Sequence, residues 1–108
     1  ADPKATYTDY ASLDVNLGNI FAETALNDAT ATPTDTTDNW ADGETHQLEV
    51  YVSLAGVATF KIDGVAPSVN THSVTFDAGD VVTVFGAFMK GAAEAADVEH
   101  IRLEVGLQ

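Results

Sequence analysis

Between residues 47 and 63, apolar and polar residues alternate on both sides of one interruption, Leu54-Ala55-Gly56. Leu48, Val50 and Val52 share one parity, and Gln47, Glu49, Tyr51 and Ser53 take the other. Past the interruption, Ala58, Phe60 and Ile62 oppose Thr59, Lys61 and Asp63. Successive side chains of a strand point to opposite faces, so a two-residue period on both arms predicts a half-buried antiparallel hairpin. Gly56 supplies a residue free of the penalty on positive φ, and the run Asp63-Gly64-Val65-Ala66-Pro67 ends the second arm with turn chemistry.

The same reading extends along the chain. Leu13, Val15 and Leu17 alternate against Asp14 and Asn16, break at Gly18-Asn19 and resume at Ile20-Phe21, which predicts another hairpin. Residues 72–76 read as a short strand and 77–79 as a turn. Residues 80–89 are apolar on both faces, with Val81, Phe85 and Ala87 on one and Val82, Val84 and Phe88 on the other. Such a strand has to be covered twice, within the fold or by another subunit, so Val81, Val82, Val84, Phe85 and Phe88 are candidate interface residues. Residues 90–97 could form a turn of helix, too short to matter alone. A closing strand over 98–107 points Ile101, Leu103, Val105 and Leu107 inward, with Glu99 on the same parity, and His100, Arg102 and Glu104 outward. Residues 1–11 read as an arm or edge strand, and residues 27–45, rich in Thr, Asp and Asn, as a long acidic surface loop of the kind that often carries function. The expectation is one all-β domain over 1–108, an antiparallel β-sandwich or jelly roll of about seven to eight strands.

Charge narrows the partners. Four Lys and Arg stand against 17 Asp and Glu, a formal net charge of -13, so nucleic-acid phosphates and anionic membranes would be repelled. The same excess keeps a protein soluble and suits saline surroundings, where ions screen self-repulsion. The chain has no cysteine, which excludes disulfides and thiolate metal sites, and no apolar run approaches the roughly 18 residues of a membrane span. The chain starts at Ala1 and its single methionine is Met89, which fits removal of an initiator, cleavage of a leader, or further residues upstream.

Chemistry-bearing residues are sparse. His46, His72 and His100 are the ready general bases, each at a strand end or on an outward face, with no Ser or Cys motif beside it. Their spacing could serve zinc only if folding brought all three together. Asp35, Asp38 and Asp42, with Glu44 nearby, offer enough oxygen ligands for calcium but miss the alternating EF-hand pattern, so a solvated acidic loop accounts for them better. Asp14, Glu49 and Glu104 fall on polar strand faces where a pair of carboxylates for glycoside cleavage is conceivable, though outer faces normally carry charge. Trp40, with Asn39 and Asp38 beside it, is the natural glycan contact; the plainer alternative is an indole closing the end of the core. No cofactor and no enzymatic activity are expected.

Residues 42–67 resemble the core hairpin of the concanavalin A-like lectin/glucanase and laminin-G-like sandwiches. In those domains a strand led by Gly-x-x-His pairs with one closed by Asp-Gly; Gly43, His46, Asp63 and Gly64 fill those positions. The tail at 92–108 looks like the closing turn and strand of such domains in structural proteins of tailed bacterial or archaeal viruses. The likeness covers roughly residues 40–108 and speaks for fold more than for activity. The chain is shorter than most members, and the lectins' carbohydrate and calcium ligands have no matching positions here. The resemblance implies a virion structural protein on the particle exterior, or otherwise an extracellular one: a capsid decoration, head-fibre or tail-associated module binding other virion proteins and copies of itself. The alternative is a carbohydrate-binding module or adhesin using Trp40 and the 27–45 loop.

Overall fold

The computed structural model describes residues 6–70 and 73–83. They form six strands: β1 (Tyr10–Asn16), β2 (Asn19–Ala25), β3 (Thr32–Asn39), β4 (Leu48–Val52), β5 (Val57–Ile62) and β6 (Val74–Thr75). These build two antiparallel three-stranded sheets, ordered β1-β2-β3 and β4-β5-β6. The described protein is therefore all-β.

The β4–β5 hairpin has the register its periodicity predicts. Leu48 pairs with Ile62, Val50 with Phe60 and Val52 with Ala58, which puts all six on one face. Ala58, Phe60 and Ile62 are buried while Thr59 and Lys61 are exposed. Val50, by contrast, is left exposed, so the face is closed over β5 more than over β4. The turn is fixed by Gly56 N–H donating to the Ser53 carbonyl (2.9 Å) and Ser53 N–H donating to the Val57 carbonyl (2.9 Å). Gly56 has φ 82°, a conformation in which other residues are penalised.

In the first sheet, the β1–β2 connection is centred on Leu17-Gly18, one residue before the expected break. Both have positive φ, 50° and 78°, as a two-residue type I′ hairpin requires, and Asn16 pairs with Asn19. Leu17 therefore belongs to the turn and is exposed instead of continuing the apolar face. The face that remains pairs Leu13 with Ala22 and Val15 with Ile20, and Ile20 is fully buried. On the opposite face the Tyr10 hydroxyl donates to Glu23 (2.7 Å). Of the two readings of residues 1–11, an arm or an edge strand, Tyr10 and Ala11 fit the second, since they open β1, an outer strand of its sheet, and Tyr10 is buried.

The larger correction concerns residues 27–45. Thr32–Asn39 is not loop but the strand β3, paired with β2. Its threonines are β-branched and suit a pleated surface, and an edge strand needs few apolar residues because one side of it faces solvent. Thr32 and Thr34 lie opposite Thr24 and Ala22 on the face that carries Ile20. The ladder is irregular between Asn19 and Phe21, which pair with Asn39 and Asp35. There Thr36, fully buried, donates its hydroxyl to the Ile20 carbonyl (2.6 Å), and Thr37 takes φ 64° with its N–H on Asp35 Oδ1 (2.8 Å).

The sheets approach each other where β1 lies against β4. A second connection joins β3 to the chain beyond β5: Val69 N–H donates to the Thr36 carbonyl (2.9 Å), and Ser68 donates its N–H (2.8 Å) and hydroxyl (2.5 Å) to the Asp38 carboxylate. The short strand expected over 72–76 is present as β6. The strand expected over 80–89 is not seen in its described part: residues 80–83 lie outside any strand, with Val81 92% and Val82 51% exposed. Val84, Phe85 and Phe88, the expected helical turn and the closing strand lie outside the described residues.

Candidate functional site

Among the described residues, a dense polar constellation lies where β3 ends and β4 begins. After Asn39 the chain turns, and Trp40 N–H donates to the Gly18 carbonyl (2.8 Å), anchoring the corner to the β1–β2 turn. Glu44 N–H donates to the Ala41 carbonyl (3.2 Å), with Gly43 at the third position and φ 81°, as a type II turn requires. The Trp40 indole N–H donates to the Glu44 carbonyl (2.9 Å), and the Glu44 carboxylate accepts the Ala41 N–H (2.9 Å). The loop is thereby closed on itself.

Asp63 reaches this corner from the other hairpin. Asp63 and Gly64 have φ 52° and 81° and form a tight reversal in which Ile62 and Val65 exchange backbone hydrogen bonds. That pose lets Asp63 N–H donate to the Gln47 carbonyl (2.8 Å) while Asp63 Oδ1 accepts the Gln47 N–H (2.9 Å). Its second oxygen lies 2.6 Å from His46 Nδ1, and His46 Nε2 lies 2.9 Å from Glu44 Oε2. The imidazole also meets the Trp40 ring edge to face, centroids 5.1 Å apart.

The charges follow this geometry. Hydrogen bonds to Glu44 and then Asp63 raise the His46 pKa above the ordinary histidine value. The His46 ring, followed by the Ala41 N–H, lowers that of Glu44; the Gln47 N–H, followed by His46, lowers that of Asp63. The arrangement sets one imidazole between two carboxylates and against the indole of Trp40.

The other anticipated residues divide between this corner and the rest of the fold. Trp40 is half-buried, and Asn39 is exposed at the end of β3. Asp35, Asp38 and Asp42 are not gathered round one point: Asp35 holds Thr37, Asp38 holds Ser68, and Asp42 is exposed in its turn. Among the described residues, the carboxylates whose oxygens lie within 4.8 Å of one another are instead Asp9, Asp77 and Asp80. Asp9 precedes β1 and accepts the Asn27 N–H, while Asp80 accepts the Asp77 N–H (3.0 Å) in the turn after β6. No sequence pattern links positions so far apart. Asp14 accepts the Ser12 hydroxyl on β1, and Glu49, on β4 in the other sheet, accepts the Gln47 side-chain amide (2.6 Å) opposite Lys61. Glu104, His72 and His100 lie outside the described residues, so of the three histidines the description covers His46.

Sequence reasoning named His46 and Asp63 but not their union with Glu44. The signal was present in the hairpin register, because extending the Leu48–Ile62 pair by one step sets Gln47 beside Asp63. Compared with known proteins, the chain matches no family model, no curated protein and no solved structure.

Proposed function

We propose that this chain is a virion structural protein of a tailed virus, a capsid decoration, head-fibre or tail-associated module on the particle exterior that acts through contacts between subunits. On this reading its two sheets belong to a concanavalin A-like β-sandwich or jelly roll of about seven to eight strands. The observation that carries the proposal is the exposure of Val81 and Val82 just beyond β6, the outer strand of its sheet. The sequence continues there with Val84, Phe85 and Phe88. Removing apolar surface from water is worth about 25 cal/mol for each Å², and a symmetric shell repeats one contact many times. The net charge of -13 opposes contact between copies and is screened by salt, so association should strengthen as ionic strength rises.

Light scattering at moderate and high salt tests this. A trimer or larger closed oligomer, stabilised by salt and weakened by Val82→Asp, is the expected result. A monomer at every salt concentration counts against it and turns attention to glycan binding, measured with and without Trp40→Ala.

A further inference from the structure

Both ring nitrogens of His46 face carboxylate oxygens, Asp63 Oδ2 at 2.6 Å and Glu44 Oε2 at 2.9 Å. An ionised carboxylate only accepts hydrogen bonds, and a neutral imidazole has one N–H and one lone pair. A neutral ring would therefore turn its lone pair on one of the two carboxylates, whereas the imidazolium donates to both. We propose that His46 is held as the imidazolium and acts as a pH-dependent clamp, closing the Trp40 corner while protonated and loosening it once the proton leaves.

The groups it joins come from separate parts of the fold. Glu44 lies in the connection after β3, His46 on the approach to β4, and Asp63 in the turn after β5. Trp40, against the imidazole, is bonded through its backbone to Gly18 between β1 and β2. The clamp thus ties the turn end of one sheet to the hairpin base of the other. The charged groups facing the ring are Glu44 from its own connection and Asp63 from across the hairpin; the next pair along the ladder, Glu49 and Lys61, stand opposite each other. The folded pKa of His46 is raised, so the clamp's stabilisation is complete below the ordinary histidine value of 6.5 and is lost as pH rises through the higher folded value.

The test is an NMR pH titration of the intact chain, with His46 recognised by its cross-relaxation to the indole of Trp40, the one tryptophan. The expected result is a His46 midpoint above 6.5, with Trp40 fluorescence and melting temperature both changing across it. His46→Gln, whose amide can still donate but does not titrate, should abolish the fluorescence step. A midpoint at or below 6.5, or fluorescence and melting that stay flat across the midpoint, would overturn the clamp. The titration of the unaltered chain decides the matter even if the variant does not fold.

Discussion

Gly56 sits so close to Phe76 that a Cβ added to it would come within 2.8 Å of the Phe76 carbonyl oxygen. That oxygen belongs to backbone, which cannot swing aside, and Phe76 N–H is itself bonded to the Gly56 carbonyl (2.9 Å). Gly56→Ala combines this clash with a positive φ, so a loss of roughly 2 kcal/mol or more is expected by denaturant titration. A loss below about 0.5 kcal/mol, the range of ordinary surface changes, would show that β6 is not docked at this turn.

Leu17 presents the opposite case. It holds φ 50° in a type I′ turn while 83% exposed, so its side chain contributes little packing to offset the backbone strain. Asn is the preferred residue at that position before glycine. Leu17→Asn should stabilise the chain by about 0.5–1 kcal/mol, read as a higher denaturation midpoint at unchanged slope.

Thr36 is the one polar residue among the described ones that is wholly buried, and its hydroxyl satisfies the Ile20 carbonyl where the ladder is irregular. Thr36→Val keeps the shape and leaves that carbonyl without this donor. The expected cost is about 1–3 kcal/mol, from the desolvated Ile20 carbonyl and from the Asp38 N–H that the hydroxyl also accepts (3.2 Å), and not from lost volume. Thr36→Ser, which keeps the hydroxyl and gives up a methyl group, should recover part of it.

Asp63→Asn separates charge from turn geometry. Asn tolerates the 52° φ of this site, and its side-chain oxygen can still accept the Gln47 N–H. With a negative partner gone, the His46 midpoint should fall in an NMR titration; an unchanged midpoint would assign the ring's elevation to Glu44 alone. In the native chain Asp63 has the opposite sign. Its pKa is lowered, so its stabilising effect is present above the ordinary carboxylate range and disappears as pH falls through its own depressed value. The clamp is therefore complete in mildly acidic solution and weakens toward both extremes.

The β4–β5 hairpin was legible down to register because Leu48, Val50, Val52, Ala58, Phe60 and Ile62 carry the period on their own. Strand β3 was not, since it buries Thr36 while its neighbours are Thr, Asp and Pro, residues that also make loops. A reader could have weighed the same-face series Thr32, Thr34, Thr36 as a strand signal. The His46 corner was half legible: hairpin pairing brings Asp63 to Gln47, but the approach of Glu44 and Trp40 depends on a turn docked against Gly18, in a different sheet. Trp40 is half-buried, and its indole N–H is engaged within its own loop, a contact that depends on the turn at Gly43 and not on any strand period.

The bonds from Ser68 to Asp38 join positions 30 residues apart, and the whole β4–β5 hairpin lies between them. Pairing within β1–β2 and within β4–β5 closes only short loops and should form early in folding, whereas this cross-link closes a longer loop and is expected to form later. Its contribution should accordingly appear in the unfolding rate: Ser68→Ala should speed unfolding and leave the folding rate nearly unchanged in stopped-flow experiments. The Asp38 tether would then set how long the two halves stay together once folded, more than how quickly they find each other.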